Sequence, residues 1–335
     1  MPYRRVEIRS VNNMQINSIG IFGGTGFVGT KLANELVEKG FRLKLFTRSR
    51  ARARHLWLLP NTQVIETNIH DDANIAEQLA DCEAVINLAG ILNEKGDNGE
   101  GFRHVHTELT RTIIKACFSV GITRYLHMSA LGADPFAPSY YLSSKGEAEN
   151  AAMAAHDDGL QTTVFRPSVM FGPNDQFFNR FALLLKMSPM VFPLACAKTL
   201  FQPVYVGDVT RAIVQSLSAR ATFGSRFDLG GPEEKTLLEI VRYVNELSGR
   251  RRSIIPLGNM LSKLQANILE YFPGKPFSRD NLRSTSEPSV CRTGNGLDLL
   301  GIRPSSIDEV VPTYLGGKYE RQRYYDMRTE ARRLR

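Results

Sequence analysis

The chain runs to 335 residues, enough for one large α/β domain with an appended lobe, and its 42% hydrophobic and 23% charged content is that of an ordinary globular protein. The net charge of +8 attracts anionic ligands. The body of the chain holds no nucleic-acid-binding module and no clustered basic stripe, which excludes nucleic acid as a partner. Cys82, Cys117, Cys196 and Cys291 are scattered without metal spacing, and nothing completes a site around His104 and His106. No metal is therefore expected, and the thiols read as reduced and mostly buried in a cytosolic compartment.

Residues 1–13 are basic but lack the apolar core of a secretory signal, and they read as an extension before Met14. An apolar strand over residues 16–22 follows, then Gly23, Gly24, Thr25, Gly26, Phe27, Val28 and Gly29, then a helix of period near 3.6. Gly23, Gly26 and Gly29 have the spacing GxxGxxG. Glycine suits a turn with unusual backbone angles that phosphates approach closely, and the helix beginning near Gly26 offers free N–H groups to a pyrophosphate.

The second strand ends near Thr47. An acidic residue here would hold the ribose hydroxyls of NAD(H), but the chain has Arg48, whose guanidinium suits the 2′-phosphate of NADP(H). NADP(H) is preferred over NAD(H) on this reading; the alternative is that Arg48 belongs to a solvated loop. A strand over 62–68, a helix from about Ala73 to Ala80 and a strand ending at Gly90 come next. A helix from about Phe102 to Val120 and a strand over 124–130 complete the first half. This alternation predicts an α/β fold, a doubly wound parallel sheet of Rossmann type with a smaller C-terminal α/β lobe. Its ligand crevice lies at the carboxyl ends of the strands: Gly23 to Gly29, Thr47-Arg48, Asn68-Ile69, Leu88-Ala89-Gly90 and Ser129-Ala130.

Just past the fifth strand, Tyr141 and Lys145 stand four apart at a helix start and share a face. An ammonium beside a phenol favours the phenolate, so the pair can exchange a proton with a carbonyl or alcohol. With the glycine turn, "NLAG", "FRPSVMFG" and "FQPVYVGDV", it makes the chain resemble the short-chain dehydrogenase/reductase superfamily, in its extended or atypical branch. "HMSALGADP", "YLSSKGEAE" and "RPSVMFGPND" narrow the resemblance to bacterial relatives of the nucleotide-binding accessory subunit of respiratory complex I. The resemblance implies that Tyr141 and Lys145 contact the cofactor and that Arg166 and Pro167 end a loop against the nicotinamide. It also puts the substrate-orienting hydroxyl one place after Ser129, where this chain has Ala130; Ser129 is the candidate to stand in.

The division expected is a Rossmann core over 14–172, a substrate-side lobe over 173–315 from which residues 201–218 rejoin the core, and a basic tail over 316–335. Asp208 reads as a helix cap. The apolar stretch over 181–197, cut by Lys186, Pro189 and Pro193, either roofs the substrate pocket with the segment from Leu261 or presents an apolar patch. The tail carries seven Lys/Arg against three acids, which suits a solvated helix or an anionic surface. Two functions remain. One is a dinucleotide holder in a respiratory or quinone-biosynthesis complex, cytoplasmic and peripheral on the inner face of a bacterial membrane. The other is a working NADP-dependent oxidoreductase or epimerase/dehydratase.

Overall fold

The computed structural model describes residues 16–69, 71–271 and 277–315. The expectations for residues 1–13 and for the basic tail fall outside them.

The first half alternates strand and helix: β1 (Ser18–Phe22), α1 (Phe27–Glu38), β2 (Arg42–Thr47), β3 (Thr62–Glu66), α2 (Asp72–Leu79), β4 (Ala84–Asn87), α3 (Glu100–Phe102), α4 (Leu109–Ser119), β5 (Arg124–Met128), α5 (Tyr140–Asp157) and β6 (Gln161–Pro167). β1, β4 and β5 are buried at every position, as strands covered on both faces by helices must be. α1 buries Gly29, Leu32, Ala33 and Leu36, a spacing that gives one inward stripe.

The second half holds β7 (Met170–Phe171), α6 (Phe178–Met187), β8 (Val191–Leu194), β9 (Leu200–Phe201), β10 (Val204–Tyr205), α7 (Val206–Ser216), β11 (Ser225–Leu229), β12 (Lys235–Thr236), α8 (Leu237–Leu247) and β13 (Ser253–Pro256). It ends with α9 (Asn259–Leu269), α10 (Arg279–Ser284), α11 (Gly296–Leu299), α12 (Ile307–Val310) and α13 (Pro312–Leu315).

The central sheet has the order β11-β6-β5-β4-β1-β2-β3. Every pairing in it is parallel. The chain leaves β1 toward β3, then crosses back to lay β4 on the other side of β1. That reversal between β1 and β4 opens a crevice at the carboxyl ends. One core packs α1 and α7 on one face through Leu32, Leu36, Leu126, Phe165 and Ile213. A second packs α2, α4 and α5 on the other through Ile75, Leu79, Ile113, Tyr125 and Ala152. A third core, with Phe171, Phe178, Leu185, Phe192 and Ile240, belongs to the lobe. The lobe also returns a strand to the sheet, since β11 pairs with β6 in the register Phe227↔Phe165.

Three details differ from the sequence reading. The helix before β5 includes a π-helical stretch, Arg103–Glu108. Asp208 does not cap α7: the N-cap is Tyr205, with no side-chain bond. Asp208 lies inside the first turn, where its buried carboxylate accepts from the Ser305 N–H (2.6 Å) and the Ser305 hydroxyl (3.1 Å) and pairs with Arg211, so it ties a distant segment to the helix. Finally, only Cys82 and Cys117 are buried; Cys196 and Cys291 are half-buried, and all four are free. No described helix is long and apolar enough to cross a membrane, and no metal-binding cluster occurs among the described residues.

Candidate functional site

The glycine turn closes β1 onto α1. Gly23 has φ +76°, a left-handed angle that favours glycine. A Cβ on Gly29 would lie 2.4 Å from the Gly23 carbonyl oxygen and 2.5 Å from the Gly24 Cα, so the helix can approach the turn only without a side chain. Gly26 is the exposed N-cap in an extended conformation, with no side-chain cap bond and no acidic residue in the first turn. The first N–H groups of α1, those of Phe27, Val28 and Gly29, and the helix dipole thus meet the crevice without a competing carboxylate, with Thr25 just before the cap. These residues fit a pyrophosphate.

The other strand ends gather around this turn. A Cβ on Gly23 would meet the Ala89 N at 2.8 Å, and the Leu88 N–H donates to the Phe22 carbonyl at 2.9 Å. Arg48 follows Thr47 and is exposed; Asn68 is exposed and Ile69 half-buried just past β3. A cleft of about 360 Å³ lined by Arg42, Lys44, Asp81 and Cys82 lies at the opposite, amino-terminal edge of β1 and β2. It has no glycine turn or helix N-terminus and does not compete as the dinucleotide site.

The tyrosine–lysine end is enclosed. Ser139 caps α5 by accepting from the Leu142 N–H at 3.1 Å. Lys145 is 4% exposed, and its Nζ donates to the Met128 carbonyl (2.9 Å) and the Ala89 carbonyl (3.4 Å), which ties α5 to the ends of β5 and β4. Burial pulls its ammonium down to about 8. The Tyr141 ring sits edge-on to Phe102 and His106, with centroids 6.0 and 5.6 Å away. Burial pushes its phenol up to about 12. The lowering of the phenol expected from Lys145 is not found; desolvation by burial sets the direction of the shift.

Ser129 is 2% exposed, and its Oγ has no partner among the described residues. Ala130 beside it is buried. Arg166 donates through Nε to Glu149 at 2.8 Å, pairs with it again through Nη2, and stands 3.8 Å from Asp228. Its guanidinium is thus held in an ion cluster with Arg226, while Pro167 pairs with Leu229 at the sheet edge.

His106, which completes no metal site in the sequence, has a structural place here. The Ile91 N–H donates to His106 Nε2 (3.1 Å), which leaves Nδ1 protonated to donate to the Ser144 hydroxyl (2.8 Å). Burial and nearby Lys145 hold the imidazole well below its usual range, so it is neutral. The π-helical stretch brings His106 and Thr107 onto α5 together, and Thr107 Oγ1 donates to the Ser144 carbonyl at 3.1 Å. Sequence reasoning missed Asp280. Its carboxylate accepts from the Tyr140 N–H (2.7 Å) and the Tyr141 N–H (3.1 Å), a second cap on α5. Asp97 bridges Arg283 (2.6 Å) and Arg279 (3.2 Å), so the loop after β4 and the lobe close together over this end. A small cleft of about 10 Å³ lined by Asn93, Phe102 and Asp280 lies between them.

Comparison with known proteins agrees with this geometry. The chain is similar to the NADH dehydrogenase (ubiquinone) 1 alpha subcomplex subunit 9, mitochondrial, of Rattus norvegicus, at 28% identity covering 86% of this chain and 77% of that protein. It is 26% identical to the NADH-ubiquinone oxidoreductase 40 kDa subunit of Neurospora crassa, covering 92% of this chain and 80% of that one. A dTDP-glucose 4,6-dehydratase from Streptomyces venezuelae, solved with NAD bound, shares the fold with a TM-score of 0.70 at 18% identity, covering 92% of this chain and 98% of that one. Residues 19–230, which hold the glycine turn, the seven strands of the sheet except Ser18 at the start of β1, and the Tyr141–Lys145 helix, match one family model, and the chain belongs to the NAD dependent epimerase/dehydratase family.

Proposed function

We propose that the chain holds NADP(H) tightly as an atypical short-chain dehydrogenase/reductase of the complex I accessory-subunit type. It serves respiratory-chain or quinone metabolism within a complex, from a peripheral position on the cytoplasmic, inner face of a bacterial membrane. The observation that carries this reading is the engagement of Lys145 by the Met128 and Ala89 carbonyls beside a phenol pushed up to about 12. A pair held this way clamps a nucleotide better than it exchanges protons at neutral pH. Ala130 and the mitochondrial NADH dehydrogenase subunits among the relatives support it. The preference for NADP(H) rests on Arg48 and on the absence of an acid at the end of β2. Arg48→Glu is expected to reverse it, weakening NADPH relative to NADH by about tenfold or more; equal effects on both would discard it.

A second reading has one observation in its favour. The buried Ser129 hydroxyl, without a partner among the described residues, follows the residue whose carbonyl holds Lys145, where it could orient a small or lipophilic carbonyl or alcohol. The deciding experiment purifies wild type and Tyr141→Phe without added nucleotide, identifies what stays bound, and follows NADPH fluorescence with a panel of quinones and ketones. The holder reading expects both proteins to retain NADPH and neither to oxidise it. Oxidation by wild type alone would make Tyr141 catalytic and the chain a reductase.

A further inference from the structure

Helix α9 is built inside out. Its buried side is Ser262 and Ala266, while Leu261, Leu264 and Ile268 are 53, 54 and 51% exposed, and Tyr271 just past its end is 86% exposed. Steps of three, four and three residues put these side chains on one line along the helix. A helix that only closes a globular core turns its large apolar residues inward.

The neighbouring ribbon continues the surface. Gln265 Nε2 donates to the Pro193 carbonyl at 2.9 Å, which fixes α9 beside β8. Pro193 and Ile255 are partners in the β8–β13 pairing and both are exposed, so they share the outer face. The Ser253 N–H donates to the Met190 carbonyl at 3.0 Å, adding a residue 76% exposed. Residues 183–198 and 250–269 contain Lys186, Lys198, Arg250, Arg251, Arg252 and Lys263 and no Asp or Glu.

Apolar side chains interleaved with exposed Lys and Arg suit a helix lying at the headgroup boundary of an anionic bilayer. Basic side chains there lay their stems along acyl chains and raise their charges to lipid phosphates. A second copy of the chain fits less well, because a two-fold contact through this face would bring exposed cations such as Lys263 toward like charges with no Asp or Glu from these segments to offset them.

We propose that the outer face of α9 with the β8–β13 ribbon docks this protein directly on a bilayer of anionic phospholipid. The proposal rests on the peripheral membrane position given above and names the surface responsible.

The test is flotation of the full chain with phosphatidylcholine vesicles with and without phosphatidylglycerol. Wild type is compared with the double variant Leu264→Glu/Ile268→Glu and with Leu58→Ser, whose residue is 93% exposed in the turn before β3. Wild type and Leu58→Ser are expected to float with the anionic vesicles, less so as salt rises, and the double variant to partition about tenfold less. Retained nucleotide and an unchanged melting temperature show that each variant is folded. Absence of wild-type binding overturns the surface, and bound NADPH in the same sample shows that the nucleotide reading survives. Undiminished binding of the double variant would assign the membrane to another segment, such as the basic tail, and overturns it too. A concentration-dependent dimer that the two glutamates abolish, without vesicle binding, replaces the bilayer with a second copy.

Discussion

At the β1 end of the crevice the surface proposed to hold the nucleotide is made of backbone. Gly23 takes a left-handed turn, Gly29 lets α1 approach, and the uncapped N-terminus of α1 faces outward. At the α5 end the work falls to side chains, and each already has a partner within the protein: Lys145 on two carbonyls, Tyr141 between Phe102 and His106, and the first turn of α5 on Asp280. A backbone site depends on a few glycines and tolerates change around them. A side-chain site depends on the charge and freedom of two or three groups, and can lose its chemistry while the fold that carries it persists.

Gly29→Ala breaks the first end most directly. The new Cβ would sit 2.4 to 2.6 Å from backbone atoms of Gly23 and Gly24, which cannot rotate away as a side chain can. The expected cost is about 3 kcal/mol in urea unfolding, with loss of retained nucleotide. Gly40→Ala is the companion: Gly40 has φ +87° but nothing within 4 Å, so strain alone should cost about 1 kcal/mol and leave the nucleotide bound. Equal costs at the two positions would mean that the close approach of α1 to the turn does not matter.

Asp280→Ala tests the second end. It removes the carboxylate from the Tyr140 and Tyr141 N–H groups and leaves Ser139 as the remaining side-chain cap. A loss of about 1 to 2 kcal/mol is expected, together with faster amide exchange in the first turn of α5. Loss of stability with unchanged exchange at Tyr141 would place the role of Asp280 in its contact with Arg283 instead.

The glycine turn between β1 and α1 was legible in the sequence because its determinants are local. A strand period, a glycine spacing and a helix period lie within residues 16–38, and the other strand ends repeat that pattern. The enclosure of the other end was not, because its determinants are distant or irregular. Asp280 reaches α5 from about 140 residues away, and a capping box in "SRDN" marks the start of α10 without saying what it faces. His106 meets Ser144 through a π-helical turn that breaks the expected 3.6 period. The short β11 carries no mark of pairing with β6. Asp208 sits three residues past the N-cap Tyr205, close enough to be read as a cap, and nothing in its neighbourhood announces Ser305.

The smallest expected effect is the most specific to the enclosed lysine. Burial lowers the Lys145 ammonium from 10.5 in the unfolded chain to about 8 in the folded one. Between those values the unfolded chain binds more protons, so this group makes stability rise with pH; below 8 both states are protonated and the burial penalty is carried in full. Other buried groups enter from pH 9 upward: Cys82 and Cys117, raised to about 11 and 12, act in the opposite direction, and Arg124, lowered to about 9, acts in the same one. The clean window is therefore pH 8 to 9. Across it the stability of nucleotide-free wild type should gain about 1 kcal/mol relative to Lys145→Met, which lacks the titrating group. Bound nucleotide should reduce that gain, because ribose oxygens beside Nζ would share in solvating the ammonium. Parallel pH profiles for the two proteins would show that the ammonium stays hydrated, and the contrast between the open and the enclosed ends of the crevice would fail at its central residue.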